Sequence, residues 1–394
     1  MTFEDHQGDQ GIESPRTESF IAKVFRPAVA GQIDGFDLSF SIMKMYNNVT
    51  FSQLSWAFAE LVTEEAHMNA KPLLVPWIVL LLCLVSQQAA TLELEAWGYD
   101  GTFQLSTNLP PGSDFISIAA GAEHGVALKS NGTVVAWGND AHGQNTPPVS
   151  LGTCTAIGAG GDTAYAIETA GTIVAWGDDY LGTVSSVPAG TYTAVDGGEF
   201  FAVALATNGS IAAWGSDTYG QVTNVPSGTD FVQVVAGDSH GVALRSDGSL
   251  ASWGHFNGTS GQPTSGVFTQ VSAGHNYSLA LKSDGSIVHW GDDPWGYGVD
   301  EVPTGNDFEE ISAGYVHGLA RKTDGSVVGW GAGEDASGHP HWGQAMPPAR
   351  NDFQAISGGL YWSLSMTGEA GEVHANNFEN GDFSGWDDVV GGSP

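Results

Sequence analysis

Cysteine is nearly missing from this chain. Two occur in 394 residues, and Cys83 lies inside an apolar run, which leaves Cys154 alone. A disulfide framework and a cysteine metal cluster are thereby excluded. Cationic side chains are also scarce: 11 lysines and arginines stand against 44 aspartates and glutamates, a formal net charge of −33. Residues 91–367 alone hold 28 acidic and 6 basic side chains. That is the wrong sign for gripping phosphate backbones, so nucleic acid is excluded as a partner class. Mutual repulsion at this charge favours a soluble monomer. Long apolar runs are missing as well. The longest, Leu73 to Val85, is too short to cross a bilayer comfortably. No nucleophile elbow, zinc-protease helix, phosphate loop or calcium loop is present, so no catalytic residue, metal or cofactor is nominated. His339 and His341 flank a proline in one long loop, but two histidines do not make a metal site. Aspartate is too plentiful to single out a catalytic carboxylate pair.

What the sequence has in abundance is repetition. Trp-Gly pairs begin at Trp97, Trp137, Trp176, Trp214, Trp253, Trp290 and Trp330. A second series of turn glycines falls at Gly121, Gly160, Gly198, Gly237, Gly274, Gly314 and Gly359. The two series are out of phase. Each unit, such as "DFVQVVAGDSHGVALRSDGSLASWG", reads as three strands. An Asn-Gly or Asp-Gly pair (Ala170-Gly171 in one unit) between the second and third predicts a tight two-residue hairpin with positive φ at both positions. A polar return segment follows, with room for a short fourth strand. Such a unit cannot bury its own faces, and radial repetition solves this. The expectation is an all-β, seven-bladed propeller. Leu92 to Trp97 should complete the blade begun by Phe353 to Met366, so that the N-terminal and C-terminal strands of the propeller pair and close the ring.

The pattern A-G-x-x-H-x-x-A-L-x-x-D-G-x-x-x-x-W-G-x-x-x-x-G-Q, seen across residues 92–366, resembles the repeat of the regulator of chromosome condensation family. The Val-Pro that follows resembles secreted bacterial members, among them a propeller-type β-lactamase inhibitor. The resemblance implies a propeller that binds a protein partner. It also brings in nucleotide exchange on a small GTPase, as the family's founder performs, which acidity and the secretory signal disfavour.

The ends divide from the repeats. Residues 68–90 look like a secretory signal: Lys71, the apolar run, and a Gln-Ala-Ala ending. Cleavage there would start the mature chain at Thr91, one residue before the closing strand, and place the protein outside the cytoplasm, secreted, periplasmic or at the cell surface, with no stable membrane span in the mature chain. Residues 1–67 carry no repeat and are read as an unassigned extension or as an over-extended start, with Met68 able to begin the signal. Residues 91–367 form the propeller. Residues 368–394 are a Gly- and Asp-rich tail, an incomplete module.

Strand direction puts the turn glycines and the Trp-Gly pairs at one face of the disc. Three residues past the Trp stand Asp100, Asp140, Asp179, Asp217 and Asp293. Soon after the turn glycine come Glu123, Asp162, Glu199 and Asp238. Tyr180, Tyr219, Phe256, Trp295, Tyr297 and Trp342 stud the same loops. Together they suggest an acidic ring with aromatic anchors for a protein partner. The opposing reading of each Asp is local, a side chain bonding its own turn. His124, His240 and His317 interchange with Phe201, Tyr277, Trp362 and Thr163, which favours packing over metal ligation. Arg321 stands where sister units have leucine or isoleucine, and the repeat offers no reason for it. The leading expectation is a secreted, non-enzymatic propeller that binds protein. The alternative is a carbohydrate-binding or hydrolase/lyase propeller using the central mouth.

Overall fold

Each unit folds as its pattern of β-branched, aromatic and alanine residues dictates. In one of them Phe231–Ala236 rises to the turn glycine, His240–Arg245 runs back, and Leu250–Gly254 returns to end in Trp-Gly. The computed structural model describes residues 92–99, 105–333 and 342–368. Within them, 21 strands form seven antiparallel three-stranded sheets, the blades of a propeller. No fourth strand forms among the described residues. The return segments instead hold turns, one 3-10 turn at Tyr180–Gly182 and one short helix at Phe256–Thr259.

The ring closes as the phase of the repeats requires. Strand β1 (Glu93–Gly98) pairs antiparallel with β21 (Trp362–Thr367), with Glu93 opposite Thr367 and Gly98 opposite Trp362. Strand β20 (Phe353–Gly358) takes the other edge of β21. Arg350 reaches Glu95 of β1 at 2.9 Å and so ties the last return loop to the first strand.

The hairpins differ from the sequence expectation. Only the glycine has positive φ, from 79° to 85° at Gly132, Gly171, Gly209, Gly248, Gly285 and Gly325. Three residues make the loop: Lys129 N–H donates to Thr133 O, and Gly132 N–H donates to Lys129 O. This is a type I turn closed by a left-handed glycine, the three-residue hairpin. The Asx side chain explains the outcome. Asn131 Oδ1 accepts from Thr133 N, and Asp247, Asp284 and Asp324 do the same for the serine two residues on. That bond fastens the Asx in an ordinary conformation and leaves positive φ to glycine.

The tryptophans of the Trp-Gly pairs wedge between blades. Trp137, Trp176, Trp214, Trp253 and Trp330 are 3–5% exposed. Each donates its indole N–H to a backbone carbonyl of the return loop before it, as Trp176 does to Gln144 O at 3.0 Å. His124, His240 and His317 are fully buried, and burial lowers their pKa to about 4, 4 and 3. They are neutral packing groups, like Tyr277 and Trp362 in the same register.

The turn glycines are required by close approach. A β-carbon on Gly121 would meet Gly160 O at 2.6 Å, one on Gly160 would meet Gly198 O at 2.4 Å, and one on Gly198 would meet Gly237 O at 2.3 Å. The series continues around the disc to Gly359, whose β-carbon would lie 2.8 Å from Gly121 O. Backbone bonds between neighbouring turns, such as Gly161 N to Gly198 O at 2.9 Å and Tyr315 N to Gly359 O at 3.1 Å, draw the blades together there. This girdle fixes the rim of the central channel.

Arg321 now has a structural reason. Gln233 and Gln270 each bridge to the next blade: the amide group donates to a backbone carbonyl and its oxygen accepts a backbone N–H. In the following blade Glu310 stands in this register. Its Oε1 accepts from Ile356 N at 3.1 Å, and its other oxygen, with no proton to donate, receives Arg321 Nε at 2.7 Å. Arg321 also pairs with Glu309. Arginine thus stands in place of leucine in the blade where Glu310 stands in the register of Gln233 and Gln270.

Candidate functional site

A cavity of about 520 Å³ lies on the propeller axis, walled by the first strands of all seven blades. Its throat carries four side chains in one register. Ser272, Ser312 and Ser357 each accept a backbone N–H from the next blade, at 2.9, 3.0 and 3.0 Å. Asp196 does the same for Ala236 N at 2.9 Å. Burial pushes the Asp196 carboxyl up to about 7, against the lowering effect of its two backbone donors.

The rim of the mouth is set by the residue after each turn glycine: Ala122, Gly161, Glu199, Asp238, His275, Tyr315 and Leu360. It is two-sided. Asp162, Glu199 and Asp238 make an acidic arc. The Asp238 carboxylate beside it, then burial, then repulsion from Asp162, raise the Glu199 pKa to about 8. Ser239 Oγ donates to Asp238 Oδ2 at 2.9 Å. Beyond Asp238 the rim turns aromatic. His275 Nε2 lies 3.6 Å from Asp238 Oδ2, and its ring sits against Tyr315 at 4.1 Å and stacks on Trp295 at 4.9 Å. Asn276 Nδ2 lies 2.8 Å from His275 Nδ1. If the amide donates there, the neutral ring's proton is on Nε2 and faces the carboxylate. Burial lowers the His275 pKa. Tyr361 packs near Tyr315 at 6.1 Å.

The sequence-nominated residues separate into groups. Asp162, Glu199, Asp238 and Tyr180 line the channel mouth. Glu123 receives Asn139 Nδ2 at 3.1 Å, and burial raises its pKa. Asp140, Asp179, Asp217 and Asp293 fasten their own loops: Asp179 Oδ1 accepts from Val184 N and Ser185 N, Asp217 Oδ1 from Val222 N and Thr223 N, Asp140 Oδ1 from Asn145 N, and Asp293 Oδ2 from Gly298 N. The local role weighed for them is therefore seen directly. Asp100 lies outside the described residues, as do residues 1–91 and 369–394 and the His339–His341 pair. Phe256, Tyr180, Trp295 and Tyr219 are 69%, 57%, 51% and 49% exposed. Tyr180 meets Phe200, Tyr219 meets His255, Trp295 meets Tyr297, and Trp342 meets Tyr99. Next to Tyr180, Leu181 is half exposed and is the one non-glycine described residue at positive φ, 59°.

Sequence reasoning missed Phe200, His275, Tyr315 and Tyr361 as rim residues, and Asp196 as a throat carboxylate. The signal was present: they occupy the one or two positions after the turn glycine, or the position two before it. Reading only acids at that register hid the aromatic half of the rim.

Charge is divided between the two faces. Lys129, Arg245, Lys282 and Lys322 end the second strands of their blades, Arg321 stands one residue earlier, and Arg350 bonds Asp352 just before β20. All six cations of residues 92–368 thus lie towards the hairpin face. There Lys129, Arg245 and Lys322 pair with Asp114, Asp230 and Asp307. Among the described residues, the mouth face carries carboxylates, histidines and rings, with no lysine or arginine.

Comparison with known proteins agrees with this architecture. The profile of the regulator of chromosome condensation (RCC1) repeat matches residues 115–144, 192–221, 231–262 and 268–298. Among solved structures, Prp20p from Saccharomyces cerevisiae has a TM-score of 0.58 at 17% identity, covering 73% of this chain and 94% of that one. Yeast Prp20 bound to Kap60 gives 0.57 at 18%, covering 73% and 91%. The ectodomain of the Arabidopsis thaliana receptor kinase ACR4 gives 0.54 at 19%, covering 64% and 90%. No curated protein sequence matches the chain. The fold and the matched repeats together define the chain as a seven-bladed propeller carrying RCC1 repeats.

Proposed function

We propose that this propeller is a non-enzymatic module that binds a protein partner through its mouth face. The separation of charge carries the reading. Every lysine and arginine of the ring lies towards the hairpin face, so the mouth face presents an unneutralised acidic field with exposed aromatic and aliphatic side chains. Such a field steers a basic partner, and buried rings then hold it. The strained, exposed Leu181 fits this use, because strain at an exposed tip gives the free fold nothing. The yeast propeller is described as binding Gsp1p and histones and has a structure bound to Kap60. The signal-like segment 68–90 supports a site of action outside the cytoplasm. The secreted bacterial propellers remain the resemblance that best fits this setting.

The test is capture from the extracellular proteins of the source organism. The wild type should retain a partner that Tyr219→Ala/Trp295→Ala loses. Equal retention by both, or none by either, contradicts the proposal. A second reading, glycan binding, has the exposed Trp295 ring in its favour, and retention on a glycan array lost in Trp295→Ala would promote it.

A further inference from the structure

The throat beneath the acidic arc narrows the chemistry of the partner, on the reading that the mouth face binds protein. We propose that the channel mouth receives one cationic side chain of the partner, a lysine or an arginine. Its charge is met by Glu199, Asp238 and, deeper, Asp196, and its aliphatic stem is flanked by His275 and Tyr315.

Three observations carry this. The first is the cavity itself, which is lined by carboxylates and by no lysine or arginine. The protein walls around the axis exclude bulk water and focus the field of those carboxylates along it. The second is Asp196. Three sister blades meet the same interblade N–H with a serine hydroxyl, so the fold needs no charge at this position. A carboxylate held in a channel at an energetic cost, where a hydroxyl would serve, is accounted for by a ligand and not by the blade contact. The third is the rim. The Asp238 side chain is largely buried there and its Oδ1 has no hydrogen-bond partner, so it can accept from an arriving cation, and the His275 and Tyr315 rings beside it offer apolar and cation–π contact to the stem. No three metal-ligating side chains converge among the described residues, which favours an organic cation over a coordinated metal ion.

The experiment uses the full chain and small peptides. Acetyl-Gly-Lys-Gly-amide and acetyl-Gly-Arg-Gly-amide are titrated in, with the ε-acetyl-lysine and citrulline peptides as neutral counterparts. The His275 ring signals are followed by NMR. At least one cationic peptide should give a saturable shift, with the neutral counterpart weaker by about tenfold or more. Asp196→Ser keeps the interblade bond and should weaken the cation by roughly threefold or more. Glu199→Gln/Asp238→Asn should weaken it by about tenfold. The stronger of the two cations names the side chain. No saturable shift, equal binding of charged and neutral peptides, or binding unchanged in both variants would overturn the proposal. If that happens while partner capture still depends on Tyr219 and Trp295, the inference fails and the protein-binding reading stands.

Discussion

Trp362 Nε1 donates to Gly121 O at 3.1 Å, joining residues 241 positions apart. The bond links the last turn of the ring to the first, beside the strand pair that shuts it. Trp362 is 1% exposed. Trp362→Ala should cost about 3–5 kcal/mol, a fall in melting temperature on the order of 10 °C. Deleting residues 92–98 should cost at least as much and promote aggregation, because it bares the edge of β21. Calorimetry with light scattering checks both. A melting curve unchanged by the deletion contradicts closure by strand pairing.

Glu310 and Arg321 should behave as one unit. Burial raises the Glu310 pKa even though the guanidinium beside it pulls the other way. Arg321→Leu leaves that carboxylate buried and uncompensated, at a cost of about 3–5 kcal/mol. Glu310→Gln/Arg321→Leu restores the arrangement of the Gln233 and Gln270 blades and should recover most of the loss. Denaturant unfolding of the full double-mutant cycle reads the coupling. Additive losses would show that the two positions are independent.

The girdle glycines should tolerate alanine less well than strained but uncrowded ones. Gly143 has φ +83° and nothing within 4 Å of a β-carbon, so Gly143→Ala should cost about 1–2 kcal/mol for strain alone. Gly160→Ala has no such φ but would force apart the backbones of two blades, costing about 3 kcal/mol. The reverse order in measured stability would mean that the turns are held for their conformation and not for closeness.

Asp196 gives a pH signature. Its folded pKa is raised from 3.8 to about 7, so the folded state holds the proton more tightly than the unfolded state. That advantage is complete below about pH 4 and is lost as pH rises towards 7. The facing groups are the N–H groups of Ala236 and Gly197, with Tyr165 nearby. The stability of Asp196→Ser relative to wild type should therefore climb between about pH 4 and 7 and level off above. A difference in melting temperature that is flat over this range would place Asp196 in free contact with water.

The blades, their number and the closing pair are legible in the sequence because each recurs seven times or completes a phase. The hairpin type was not, because Asn-Gly and Asp-Gly suit more than one turn, and the Asx bond to the residue two on decides between them. The fastening role of Asp140, Asp179, Asp217 and Asp293 was legible as an alternative, since a turn aspartate has few other tasks. The aromatic half of the rim was legible residue by residue, in the positions after the turn glycines, but not as a cluster, because His275, Tyr315 and Tyr361 become neighbours only when three blades converge. Arg321 made no sense along the chain, because its partner's register is defined by hydrogen bonds to the next blade.

The claim that the mouth face is the binding face is tested most directly by site-specific photo-crosslinking. A photoreactive amino acid is placed at Tyr219 or Phe256 on the mouth face, and at Ser249 or Ser286 in the hairpins. Each variant is irradiated with the extracellular proteins of the source organism. Tyr219 and Phe256 should give one shared crosslinked partner, suppressed by high salt because the capture is electrostatic, while the hairpin positions give none. The same partner crosslinking from Ser249 and Ser286, and not from Tyr219 and Phe256, would contradict the account.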